Sequence, residues 1–229
     1  MAEASIKRPA GRGRFISFEG GEGSGKSTQI KKLAERLEAA KLRSIVTREP
    51  GGSPGAEVIR HVLLSGMGKL LGPEAETLLF AAARDDHVRT VILPALNQGT
   101  WVLCDRFSDS TRVYQGRVGH VPPGLVNAME RVTIGDLKPD LTIILDVPVE
   151  VGLKRAAARR GDAAPDRFES EDVRFHQELR DGYREIAAAE PRRCVLIDAT
   201  PDAHTVAANV WAALRDRFFA SPASVASTA

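Results

Sequence analysis

The chain has 229 residues, 43% of them hydrophobic and 27% charged, which is enough apolar material for a full core. Its 32 basic and 30 acidic side chains leave a formal charge of +2, too even for a dedicated nucleic-acid binder. Two cysteines, Cys104 and Cys194, lie inside apolar runs and offer neither a disulfide framework nor a CxxC metal pair, and no apolar run approaches the ~20 residues of a membrane span.

In chain order, residues 1–13 (MAEASIKRPAGRG) carry no apolar periodicity and read as a disordered basic arm. The arm lacks a hydrophobic signal core, so neither secretion nor a membrane partner is expected, and a cytoplasmic location is. A first buried strand is predicted at Arg14–Gly20, followed by a helix at Lys26–Ala40 with Ile30, Leu33, Ala34 and Leu37 at helical spacing. A strand at Ser44–Arg48, a helix at Ser53–Leu64 and a long helix at Glu74–Leu96 come next. Then follow a strand at Trp101–Asp105, a helix at Pro123–Ile134 and a strand at Leu141–Val147. Helices at Val149–Arg160 and Glu171–Ala189, a strand at Cys194–Asp198 and a helix at His204–Phe218 complete the order, before a small polar tail at 220–229. Strands that read as continuous apolar runs, alternating with helices, predict an α/β fold with a five-stranded parallel sheet covered on both faces. A single domain over 14–219 is expected, with ligands beyond the carboxyl ends of the strands.

Directly after the first strand stands Gly20-Gly21-Glu22-Gly23-Ser24-Gly25-Lys26-Ser27, a complete GxxxxGK[ST] between a strand and a helix. Its glycines let successive N–H groups point at phosphate oxygens, and the following helix adds the positive end of its dipole. Residues Gly20 to Thr28 are therefore expected to bind a nucleoside triphosphate, with Lys26 reaching the β/γ-phosphates and Ser27 a Mg²⁺ ion. This is the loop of a three-layer P-loop NTPase fold. A guanine-reading NKxD and a switch DxxG are both missing, which argues against a GTPase.

Arginines recur instead at or near strand-end turns: Arg48, Arg84, Arg106, Arg155, Arg159, Arg160 and Arg167. So many fixed cations suit two phosphate-bearing substrates, which repel one another as they approach. An acceptor that is itself a phosphate monoester has a second pKa of about 6 and needs little help from a base. The five histidines (61, 87, 120, 176, 204) lack ligand spacing and read as surface or satisfied core residues, so no zinc is expected. On the residues alone, three readings stay open: a nucleoside monophosphate kinase, a deoxynucleoside kinase with a hydroxyl acceptor, and a non-catalytic ATP-binding module.

The segments FISFEGGEGSGKST (15–28), TREPGG (47–52), LLFAAAR (78–84), WVLCDRFSDSTRVYQG (101–116) and LKRAAARRGDAAPDRFE (153–169) together resemble the thymidylate kinase family. The resemblance runs from about Arg14 to Ala199 and implies phosphorylation of dTMP by ATP with Mg²⁺ in a homodimer. Carried over residue by residue, it implies that Arg106 holds the acceptor phosphate and Asp105 orients groups at the metal. It implies a second cationic and backbone contact from Arg48 and the 49–52 turn. Phe80 would stack on the thymine and Arg84 would bond its carbonyl edge. Ser110, Thr111, Tyr114 and Gln115 would complete the dTMP site, with Tyr114 against the sugar. Glu22 would touch the 3′-hydroxyl or a metal-bound water, and Phe107 stands where relatives often carry Tyr or His. On periodicity alone Phe80 reads as core and Arg84 as a surface pair, and the resemblance reverses that reading.

The loop positions between Gly20 and Gly25 carry no Arg or Lys, and for such a loop the resemblance implies a mobile lid, here over about 154–167, that supplies the cation. Arg155 and Arg159, one helical turn apart, are ranked above Arg160, with Arg167 as a further phosphate contact.

Overall fold

The computed structural model describes residues 11–161 and 167–219. Residues 1–10 of the expected arm, 162–166 at the centre of the expected lid and the tail at 220–229 lie outside the described residues. Gly13, at the end of the expected arm, is buried and donates its N–H to the Leu96 carbonyl at 2.8 Å.

Five parallel strands form one sheet: β1 (Phe15–Glu19), β2 (Ser44–Arg48), β3 (Trp101–Asp105), β4 (Leu141–Asp146) and β5 (Cys194–Asp198), in the order β2-β3-β1-β4-β5. The three inner strands are almost wholly buried, as their unbroken apolar runs require. At the edges, β2 and β5 are partly exposed, because each has a strand neighbour on one side only.

Side chains alternate between the two faces. Ile16, Phe18 and Leu103 point to one face, where they pack with Ile30, Leu33 and Leu37 of α1 (Lys26–Ala39) and Val206, Val210 and Leu214 of α9 (Ala203–Phe218). Phe15, Val102 and Cys104 point to the other and meet Val88, Ile92 and Leu96. That second layer contains α3 (Pro73–His87), α4 (Leu93–Asn97), α6 (Pro123–Ile134) and α8 (Val173–Ala189). Helix α2 (Pro54–Leu64) packs on α3, and α7 (Val149–Arg160) on α8.

The long helix expected at 74–96 is interrupted by a π-helical turn at Val88–Ile92. Pro94 explains the break: it has no N–H for the Thr90 carbonyl and its ring crowds that oxygen. A second difference follows β3, where the short helix α5 (Ser108–Thr111) runs into a π-helical turn at Arg112–Val118. This segment carries the Ser110–Gln115 cluster to the sheet's carboxyl edge.

Candidate active site

Most of the cleft hangs from the carboxyl ends of strands. The loop after β1 runs Gly20–Gly25, and Gly23 and Gly25 take positive φ values of 65° and 92°. At Gly23 a Cβ would lie 1.9 Å from the Gly152 carbonyl oxygen, so a side chain is excluded by strain and by space. Gly25 then caps α1, whose first residues are Lys26 and Ser27.

Lys26 Nζ donates to the loop's own Gly20 and Gly21 carbonyls at 3.0 and 3.1 Å. It is buried in the loop, and that burial, reinforced by Arg106, pushes its pKa below the usual lysine value. Ser27 Oγ donates to Asp105 Oδ2 at 3.0 Å. The sheet register sets this pair, because Asp105 lies beside Phe18 of β1 and Arg48 of β2. A hydroxyl and a carboxylate oxygen side by side are hard donors that fit a magnesium ion retaining most of its waters.

One residue later, Arg106 adopts φ 69°, a costly left-handed conformation for a side chain of this size. Its backbone N–H bonds Phe18 O at 2.9 Å, and the next N–H, of Phe107, bonds Glu19 Oε1 at 2.8 Å. These bonds impose the strained turn that aims the guanidinium back over the loop. There Nη1 reaches Gly20 O at 3.1 Å and Tyr183 Oη at 3.0 Å, Nη2 reaches Glu22 Oε1 at 2.7 Å, and the group sits over the Tyr114 ring. Burial favours the neutral acid at Glu22, but Arg106, Lys26 and Arg159 outweigh it and hold the carboxyl below its usual range.

Glu19 behaves in the opposite way. It is fully buried at the end of β1, accepts from Ser110 Oγ at 2.6 Å, and is pushed up to about 7 by burial and by Asp109. A lone acid at the end of an apolar strand is the sequence signal for this residue.

Phe80 and Arg84 of α3 line the same cleft, of about 380 Å³, together with residues 22–28 of the loop, Arg48, Asp105, Arg106 and the Ser110–Gln115 cluster. That volume suits a small ligand. The helical face holding Phe80 and Arg84 is therefore a wall of the cleft. Ser110 spends its hydroxyl on Glu19, Thr111 Oγ1 accepts from Arg84 at 2.9 Å, and Gln115 Nε2 lies 3.4 Å from Glu76 Oε1. Arg48 lines the cleft and pairs with Glu57 at 2.9 Å.

The arginines of the expected lid divide. Arg159 lines the cleft and pairs with Glu169 at 2.9 Å, and Arg160 shares that carboxylate at 2.8 Å. Arg155 takes a different direction. Its guanidinium turns away to the carbonyls of Ala199 and Thr200, at 2.7 and 2.9 Å, in the turn after β5. Those acceptors lie more than forty residues away in sequence, so helical spacing alone could not foresee them. Arg167 likewise pairs with Glu76 and covers the Phe168 ring instead of facing the phosphate loop.

Two histidines also differ from one another. His87 is buried with both ring nitrogens bonded, whereas buried His176 leaves Nε2 without a partner among the described residues. The reading of His176 as a satisfied core residue therefore does not hold.

Comparison with known proteins gives a consistent result. The family model described as thymidylate kinase matches residues 18–210. A thymidylate kinase of Bradyrhizobium diazoefficiens is 74% identical over 227 residues, spanning 99% of this chain and 100% of the relative. One of Nitrobacter winogradskyi is 75% identical over 224 residues, spanning 98% and 97%. The crystal structure of thymidylate kinase from Ehrlichia chaffeensis superposes with a TM-score of 0.72 at 32% identity, covering 89% of this chain and 99% of that one.

Proposed function

Since this chain belongs to the thymidylate kinase family, we propose that the cleft beyond β1 and β3 is where it does the family's work. The protein is a nucleoside monophosphate kinase. It transfers the γ-phosphoryl of ATP to dTMP, giving ADP and dTDP on the way to dTTP. The observation that carries the site assignment is the meeting, in one cleft, of a lysine-bearing phosphate loop with Arg106 and the Phe80–Arg84 wall.

In this reading residues 20–28 hold the ATP phosphates, and Lys26 exchanges the Gly20 and Gly21 carbonyls for phosphate oxygens. Arg106 exchanges Glu22 for the dTMP phosphate, joined by Arg48. Glu22, released, is free for the sugar hydroxyl beside Tyr114. Phe80 stacks on the base, a contact worth about 1–3 kcal/mol, and Arg84 with Thr111 reads its polar edge. Ser110 and Gln115 support that wall. Ser27 and Asp105 hold Mg²⁺, which supplies neutralisation of charge on the transferring phosphates. The acceptor is already anionic near neutral pH, so positioning and charge neutralisation do the remaining work. Arg159 leaves Glu169 to meet the transferring phosphoryl, while Arg155 shapes the Ala199–Thr200 turn.

We further assign residues 14–219 to one kinase domain with a lid over about 154–167, acting in the cytoplasm. Exposed Val58, Leu78 and Val132, on α2, α3 and α6, of which α3 packs on both others, support a homodimer. Sedimentation of the 24.7 kDa chain at twice its mass is expected, and a monomer at micromolar concentration contradicts the dimer.

The catalytic reading is tested by a coupled ADP-release assay with dTMP, CMP, AMP and thymidine side by side. Turnover is expected with dTMP and none with thymidine. A protein that phosphorylates only thymidine overturns the assignment of Arg106 to an acceptor phosphate.

A further inference from the structure

We propose that Glu49 and His87 form a positioning relay that fixes the Arg84 guanidinium for reading the pyrimidine, a step that rests on the assignment of Arg84 to the base. Glu49 closes β2's exit turn, and His87 ends α3 one turn beyond Arg84. Arg84 Nε donates to Glu49 Oε2 at 2.7 Å, and Nη2 donates to Thr111 Oγ1 at 2.9 Å and the Phe107 carbonyl at 3.3 Å. The other Glu49 oxygen, Oε1, lies 3.0 Å from His87 Nδ1, and His87 Nε2 lies 2.7 Å from Thr47 Oγ1. The side chains of Arg84 and Glu49 are each 5% exposed and that of His87 is 0% exposed.

Among the described residues, these bonds occupy Nε and Nη2 of Arg84 and leave Nη1 unclaimed, while Arg84 lines the cleft. The plane of the guanidinium is thus set from behind, and one donor remains for a ligand. A buried ion pair is a poor source of net stability, since desolvation offsets most of its attraction, so a role in orientation accounts better for three such side chains in a row.

For Glu49 Oε1 to accept, Nδ1 of His87 carries the proton. On its other side Nε2 of the same ring meets the Thr47 hydroxyl, which anchors the relay to β2.

The chemistry sets the consequence. A guanidinium only donates, the C4 carbonyl of thymine accepts, and the C4 amino group of cytosine donates. A well-aimed Arg84 therefore favours dTMP over dCMP, and a guanidinium free to swing loses that preference.

The test is steady-state kinetics of His87→Gln, Thr47→Val and Arg84→Met, each with dTMP, dCMP and ATP varied and with its unfolding midpoint recorded. His87→Gln retains the reach to Thr47 but leaves Glu49 Oε1 short of a donor. Its KM for dTMP is expected to rise about tenfold and its dTMP:dCMP ratio of kcat/KM to fall about tenfold, with KM for ATP within about twofold. Thr47→Val is isosteric, so it tests the relay even where His87→Gln does not fold. The same ratio is expected to fall about threefold there. An unchanged ratio in either folded variant, or a KM for ATP that rises in step, overturns the relay. Arg84→Met separates the two layers of the argument. Wild-type selectivity in Arg84→Met removes Arg84 from base reading altogether, whereas lost selectivity there with none lost in His87→Gln or Thr47→Val removes only the relay.

Discussion

Replacing Arg106 by alanine is expected to lower kcat/KM for dTMP by about a thousandfold, while KM for ATP stays within about fivefold. The size follows from the contacts. Arg106 is a partly buried cation between the phosphate loop and the proposed acceptor side, with Glu22 at 2.7 Å and Tyr183 at 3.0 Å. Removing one member of such a charge pair costs about 2–5 kcal/mol, and under the proposed assignment the acceptor phosphate loses its principal donor as well. Alanine inherits the φ of 69° that Arg106 already tolerates, so the loss does not come from new backbone strain. Lysine is not expected to restore activity. Its single ammonium cannot span Glu22, Gly20 O and the Tyr183 hydroxyl as the planar fork does. Kinetics with each substrate varied in turn decide the matter. A loss below tenfold, or one that falls equally on ATP and dTMP, removes Arg106 from the acceptor site.

What the sequence made legible here is what is local. The phosphate loop is eight consecutive residues whose glycines, lysine and serine each have one geometric reason to be there. The inner strands were visible because both of their faces are covered, and the edge strand β2 was read at Ser44–Arg48, its observed bounds, although Val46 is 57% exposed. The helix read as continuous over 74–96 ran through Pro94, and the interruption that Pro94 causes at Val88–Ile92 needed the backbone to be seen.

The remainder is settled by contacts between distant parts of the chain. Arg155 and Arg159 share a helical face in any sequence projection, yet one goes to carbonyls after β5 and the other to Glu169. A side chain of this length is placed by whichever acceptor the fold brings within reach. Glu49 and His87 are 38 residues apart, and nothing in the spacing of TREPGG and LLFAAAR says that they touch. Glu19 is a different case. It was visible as an acid in a buried strand, and the question it posed was which backbone N–H it satisfied. The answer is Phe107, and that bond is what turns Arg106 toward the cleft.

The Lys26→Ala variant is expected to lose about a hundredfold to a thousandfold in kcat, yet to unfold within a few degrees of the wild type. The rate loss reflects removal of the one side-chain cation inside the loop, in a site where a fixed donor aimed at developing phosphate charge is worth several kcal/mol. The stability side is a matter of sign. Lys26 is 8% exposed, and burial lowers its pKa below 10.5, so the fold disfavours its charge more than water does. By linkage, a lysine with a depressed pKa contributes no stability through its charge at neutral pH. Deleting it relieves that penalty and forfeits two hydrogen bonds to loop carbonyls. Of those carbonyls, Gly20 O retains Arg106 as a donor, and Gly21 O is the one left to find another. The two effects oppose each other, and the unfolding midpoint moves little. Pairing kcat with a thermal melt checks both halves. A variant that keeps kcat within tenfold removes Lys26 from phosphoryl transfer, and one that melts more than about ten degrees lower makes it a structural staple of the loop.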